Sequence, residues 1–170
     1  MPFVIPSKAG IQGGFTLIEL IIVVSIVAVL VVALGFQYQG WQARYRVESQ
    51  VRQVQADLMT ARVRAMERDR IYRITFGPND YRVLWATNDA GTIFLPAPGW
   101  TSVTRLDYQP SWTSTVDFNT RGLVVAPASV ATTALPIWFN DQGVGSDVDC
   151  VEITQTRIGV GKWGTTCNVK

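Results

Sequence analysis

Apolar side chains fill one unbroken block early in the chain. From Leu20 to Phe36 the only polar side chain is Ser25. Counted from Phe15, the block has the ~20 residues that cross a bilayer as a helix. Beyond it the pattern changes. Val47, Val51, Val54, Leu58, Ala61 and Ala65 recur at alternating spacings of four and three, which places them on one face of an amphipathic helix. Arg44, Glu48, Arg52, Asp57, Arg62, Arg64, Glu67 and Arg68 occupy its other faces. The two patterns together predict a helix from Phe15 to Arg70, ~80 Å long at a rise of 1.5 Å per residue. Gly35 and Gly40 are its weak points, each costing about 1 kcal/mol against Ala. Tyr38 and Trp41 fall between the patterns, where amphipathic rings suit a headgroup interface.

From Ile71 the hydrophobic period becomes two. Ile71–Phe76 and Tyr81–Trp85 flank the turn cluster Gly77-Pro78-Asn79-Asp80 and predict a hairpin. Further strands are expected at Thr92–Leu95, Ser102–Tyr108, Thr115–Phe118, Gly122–Ala126, Leu135–Phe139, Asp149–Thr154 and Arg157–Val160, with a loop from Ala126 to Ala134. One helix followed by many strands argues an α+β fold, a long N-terminal helix packed on an antiparallel β-sheet domain, rather than a parallel βαβ protein.

The 170 residues suffice for one globular domain and an N-terminal extension. The net charge of +2 does not point to nucleic acid, though it leaves room for a local basic patch. The chain has no histidine, so the usual general base at neutral pH is missing, and Asp141, Asp147, Asp149 and Glu152 read as turn and strand-face residues. No enzyme and no cofactor are expected. Two cysteines without histidine cannot make a structural zinc site. The stretch from Asn140 to Asp149 is rich in oxygen and glycine, and calcium takes six to eight oxygens. Its spacing is not that of an EF-hand, and a plain hairpin loop is the preferred reading, so no metal is expected.

Glu19 is the residue that demands a reason. A carboxylate at the mouth of a membrane-length segment costs about 2.5 to 3.5 kcal/mol on insertion scales. It lies in Gly13-Gly14-Phe15-Thr16-Leu17-Ile18-Glu19-Leu20, directly ahead of the apolar block. This arrangement resembles the N-terminus of type IV pilins and of the pseudopilins of type II secretion. The resemblance implies cleavage between Gly14 and Phe15 by the prepilin peptidase and N-methylation of Phe15. It also implies that Glu19 pairs with the amino terminus of a neighbouring subunit and sets register, since a buried carboxylate is tolerable when a cation meets it. The expected parts are a leader, 1–14; a transmembrane and polymerisation helix, 15–36; its amphipathic continuation, 37–70; and a β-rich head, 71–170. The expected location is the inner membrane, single-pass with a periplasmic head, then the filament. The basic residues Arg44, Arg46 and Arg52 after the span argue for the opposite orientation, but the leader motif and the cysteine pair outweigh them.

Three further stretches resemble the GspH/FimT group of minor subunits, which includes the FimU type. They are Leu58-Met59-Thr60-Ala61-Arg62-Val63-Arg64-Ala65, Phe118-Asn119-Thr120-Arg121-Gly122, and Val151-Glu152-Ile153-Thr154 followed by Arg157-Ile158-Gly159. The resemblance implies a non-enzymatic subunit at a priming or tip complex, with other pilins as partners through the N-terminal helix. Export would let Cys150 and Cys167 form a disulfide, the alternative being two buried thiols. Two departures stand out. Phe36 occupies a position where many pilins have proline, and the Gly-Arg-x-Arg type motif with which FimT-like relatives bind DNA is replaced by Thr156-Arg157-Ile158-Gly159-Val160-Gly161-Lys162-Trp163. The charges there are fewer and differently spaced, so DNA binding does not carry over with the resemblance; it stands as the alternative function, a DNA-binding competence pilin acting through Arg157, Lys162 and Trp163, with Arg121 as a further contact.

Overall fold

The computed structural model describes residues 14–100, 103–131 and 133–170. It divides into two compact units, Met1–Gln39 and Gly40–Lys170. Helix α1 spans Leu17–Arg68 and includes both Gly35 and Gly40. Its start is set by Thr16, whose hydroxyl accepts the backbone N–H of Glu19 at 3.3 Å. A threonine cap with glutamate three residues on is the spacing of a capping box. Ser25 donates its hydroxyl to the Ile21 carbonyl at 2.8 Å, which satisfies the one polar group in the apolar run. Among the described residues no helix is long and apolar enough to cross a membrane. The apolar run with described side chains ends at Val32, and the rest of the expected span, residues 33–36, lies outside it, as does the side chain of Tyr38.

The helix ends at Arg68, two residues before the expected Arg70. Asp69 takes a positive φ of 50°, and the Arg70 N–H donates to the Ala65 carbonyl at 3.2 Å. This left-handed closure satisfies an end carbonyl that would otherwise lack a donor.

Within the second unit the strands follow in order: β1 (Tyr72–Phe76), β2 (Asp80–Ala86), β3 (Phe94–Pro96), β4 (Thr104–Arg105), β5 (Thr115–Phe118), β6 (Val124–Ala126), β7 (Leu135–Trp138), β8 (Cys150–Ile153), β9 (Ile158–Trp163) and β10 (Cys167–Val169). Among the described residues they form two antiparallel sheets. One has the order β3-β2-β1-β5-β6 with β4 also paired to β2, and the other runs β10-β9-β8-β7. The expected first hairpin is present, with Tyr72 opposite Trp85 and Phe76 opposite Tyr81. The predicted helix stripe is the core stripe: Val47, Val51, Val54, Leu58, Ala61 and Ala65 are all fully buried. They join Tyr72, Ile74, Val116, Phe118, Ile137 and Ile153 in one cluster. At about 1.5–3 kcal/mol for each large aliphatic side chain, this contact holds the helix to the head.

Several strand expectations need correction, each for a local reason. The strand expected at Thr92–Leu95 begins only at Phe94, because the Asn88 side chain accepts the backbone N–H groups of Thr92 and Ile93, both at 2.9 Å. Of the strand expected at Ser102–Tyr108, Ser102 lies outside the described residues and the strand covers Thr104–Arg105, ending there because Gln50 accepts the N–H groups of Asp107 and Tyr108. The loop expected at Ala126–Ala134 contains a short 3-10 turn, Ala128–Ala131. The strand expected at Arg157–Val160 runs instead to Trp163, through Gly161, and pairs with a final strand, β10, that the pattern did not reveal.

Candidate functional site

The N-terminal residues stand ahead of and on the first turn of α1. Gly14, Phe15 and Thr16 are not helical. A Cβ built on Gly14 would meet nothing within 4 Å, and Phe15 is 82 % exposed. Glu19, in the first helical turn, complements the positive end of the helix dipole. From Gly14 to Val32 every residue is exposed, so among the described residues nothing covers this apolar segment. The capping geometry between Thr16 and Glu19 is a role that the membrane argument overlooked, although the Thr-x-x-Glu spacing carried it.

At the C-terminal end, Cys150 and Cys167 are joined as a disulfide. The residues considered for nucleic-acid binding are not assembled into one basic surface. The Lys162 ammonium lies 2.5 Å from the Asp149 carboxylate and 3.5 Å from that of Asp141. Asp149 also accepts the Trp163 backbone N–H at 2.5 Å. The Trp163 ring stacks on Trp138 with centroids 5.7 Å apart. Arg157 precedes β9 while Lys162 and Trp163 end it, five residues or ~16 Å away at strand rise. Arg121 sits in a turn tied to that of Arg157, since Val124 donates its N–H to the Gln155 carbonyl at 3.1 Å.

The Lys162 cluster has a defined electrostatic balance. Partial burial alone would lower the Lys162 pKa, but the hydrogen bond and charge of Asp149, with those of Asp141, raise it. Partial burial would raise the Asp141 pKa, but the Gly143 and Ser146 donors together with Lys162 lower it. The lysine thus takes the central place in the oxygen-rich loop. Among the described residues no group of acidic or cysteine side chains is set to hold a metal.

Comparison with known proteins bears on both ends. A family model described as the prokaryotic N-terminal methylation motif matches residues 11–35. The crystal structure of the type IV minor pilin FimU of Pseudomonas aeruginosa PAO1 is similar in fold. It has a TM-score of 0.51 and 17 % identity over 75 % of this chain and 98 % of that one. The chain joins a prokaryotic N-terminal methylation motif to a pilin-like fold. No curated protein sequence matches it.

In the pilin-like head, charged helix residues that the sequence left facing solvent hold loops in place. Arg44 donates to the Val144 carbonyl at 2.8 Å, and Glu48 accepts the Asp147 N–H at 3.2 Å. Arg62 reaches the Thr156 carbonyl at 2.5 Å. Arg64 donates to the Pro98 carbonyl and lies over Trp100, 4.3 Å from the ring centre. Tyr81 donates to Asp57, and burial followed by this bond pushes its phenol pKa well up. Met59, Val63 and Met66 remain exposed on the same helix, as do Trp41 and Tyr45, whose rings stack 6.0 Å apart. This apolar outer stripe went unread because the arginines between its members masked it.

Proposed function

We propose that the chain is a non-enzymatic minor pilin or pseudopilin subunit. It is staged in the inner membrane with its head in the periplasm and assembled into a type IV pilus or type II secretion pseudopilus, at the priming or tip complex. The observation that carries this is the conjunction, in one chain, of the methylation motif over residues 11–35 with a pilin fold whose helix begins immediately behind Gly14-Phe15. The junction between Gly14 and Phe15 is the proposed cleavage site, and Phe15 the methylated residue. Among the described residues nothing lies within 4 Å of a Cβ built on Gly14, so packing does not account for glycine there and the proposed peptidase does. Exposed apolar side chains from Phe15 to Val32 call for a cover, first lipid and then the helices of other pilins. Glu19 in that surface is the proposed register residue.

The FimU likeness supports the minor-subunit reading, as does the pilin fold's structural rather than catalytic character. The geometry favours this reading over DNA capture, because Lys162 is held between two carboxylates and stands away from Arg157. The test is intact mass and N-terminal sequencing of protein extracted from membranes and from sheared filaments. A mature start at N-methylated Phe15 in both fractions is expected. A Met1 start in membranes, with no filament-borne form, would sink the assignment.

A further inference from the structure

Several arginines in the head have a side-chain partner. Arg44, Arg62 and Arg64 donate to loop carbonyls, and Arg70 and Arg73 pair with Asp89 and Asp117. Among the described residues the side chains of Arg52, Arg82, Arg121 and Arg157 make no hydrogen bond or ion pair, and neither do those of Arg46 and Arg105, which differ in standing together. Both line one groove, a cavity of about 170 Å³ between the helix and the chain around β4. Ser49 adds a hydroxyl and Asp107 a carboxylate to its lining. The walls are fixed in place. Gln50 donates to the Tyr108 carbonyl at 2.9 Å and accepts from the Asp107 and Tyr108 N–H groups at 2.7 and 3.0 Å, while Leu106 donates to the Asn79 carbonyl at 2.8 Å. The backbone of the groove is therefore held without a ligand, and binding has only the two exposed arginine side chains to order.

We propose that this groove is a carboxylate-binding site. Guanidinium groups recognise carboxylates and phosphates through paired N–H donors. Two of them in one cavity repel each other unless an anion intervenes, and Asp107 offsets only one of the two charges. The same Asp107 selects the ligand: it leaves a net charge that one carboxylate neutralises and it repels a dianionic phosphate or a nucleic-acid backbone. Because Tyr45 of the exposed helix stripe also borders the groove, the carboxylate can come from an acidic side chain or terminus of a neighbouring subunit, a source that rests on the pilin reading. A free small carboxylate has the same chemistry.

The experiment uses the full chain in detergent micelles, with sodium acetate and inorganic phosphate titrated at constant ionic strength. It is read by the arginine Nε–Hε NMR resonances. Acetate should shift the Arg46 and Arg105 signals saturably. Arg46→Gln or Arg105→Gln should weaken the midpoint by about tenfold, the loss of one charge-assisted partner, while Arg82→Gln leaves it unchanged. Asp107→Asn should bring phosphate up to or beyond acetate. A missing or linear acetate response, an equal midpoint in the glutamine variants, or phosphate preferred by the wild type would each overturn the proposal. A second arm distinguishes the sources. If Arg46→Glu with Arg105→Glu lowers filament incorporation while Phe15 is still processed, the carboxylate belongs to a subunit. Unchanged incorporation beside intact acetate binding in the wild type assigns it to a free carboxylate. Failure of Phe15 processing in the wild type counts against the pilin reading and not against the groove.

Discussion

The Cα atoms of Cys150 and Cys167 lie 6.0 Å apart, although β9 pairs with both of their strands and stands between them in the sheet. Flat neighbouring strands are ~4.8 Å apart, so the outer two of three would be ~9.6 Å apart. The last strand therefore curls over β9, and the alternation Ile158-Gly159-Val160-Gly161 makes room for it. A Cβ on Gly161 would lie 2.0 Å from the Asn168 carbonyl oxygen, and one on Gly159 would lie 2.5 Å from a Val169 methyl.

Gly161→Ala should consequently destabilise the head by at least ~2 kcal/mol, within the range for forced overpacking. The obstruction is backbone, tied on one side by the disulfide, and has little freedom to give. Urea unfolding of the oxidised protein is the check. A change below about 0.5 kcal/mol would show that β10 does not sit where it is placed here.

Opening the bridge should cost about 3 kcal/mol, as expected for a closed loop of this size. The sequence separation is 17 residues. The double variant Cys150→Ser with Cys167→Ser should match the reduced wild type in a denaturation midpoint. An oxidised wild type no more stable than that variant would remove the bridge from the stability argument.

Arg73 and Asp117 face each other on β1 and β5 and form a paired contact, both bonds 2.7 Å. The Arg73 group also lies 3.9 Å from the centre of the Phe94 ring. The bond to Asp117 is the main cause raising the Arg73 pKa. Asp117→Ala should cost about 2 kcal/mol, since it leaves a half-buried cation without its acceptor. Asp117→Asn should cost less, and equal losses for the two variants would argue against the paired geometry.

The Lys162 cluster gives a stability profile with two edges. Lys162 has a pKa raised above its ordinary 10.5, so its contribution is complete below that value and is lost as pH rises through the folded-state value. Asp141 has a pKa lowered from 3.8, so its contribution is present above that value and is lost as pH falls through the lower folded-state one. Lys162→Met should flatten the alkaline edge and shift the acid edge upward, measured as unfolding free energy against pH. An alkaline edge unchanged in the variant would mean that the lysine is not the group responsible.

Glu19 stands at the third position of a helix capped by Thr16 and has a proposed pairing role that rests on its charge. Glu19→Gln retains a side chain that suits the third position of a capping box but removes the charge. If register depends on charge, Glu19→Gln and Glu19→Lys should both lose filament incorporation while processing at Phe15 continues. Full incorporation of the glutamine variant would remove the charge-based register role. Thr16→Ala should weaken the helix start by about 1 kcal/mol, seen as faster amide exchange in the first turn.

Much of the architecture was legible because it depends on local periodicity. The stripe from Val47 to Ala65 repeats at helical spacing, and every member is buried. The alternation in Tyr72-Arg73-Ile74-Thr75-Phe76 became a strand with three buried and two partly buried positions. The N-terminal motif was legible because its residues are consecutive and need no fold to bring them together. The final strand was not, since Cys167-Asn168-Val169 is too short for a pattern and the strand it pairs with was expected to stop at Val160.

What the sequence alone determined is the order of elements, the buried face of the helix and the character of the N-terminus, because these rest on contacts between near neighbours. What only the tertiary structure decided is which distant groups meet. It placed Lys162 between Asp141 and Asp149, set Gln50 against Tyr108, and brought the unpaired Arg46 and Arg105 to one groove. The sign of each charge could be read in advance, but its burial and its partner could not, because both depend on how the sheets close over the helix.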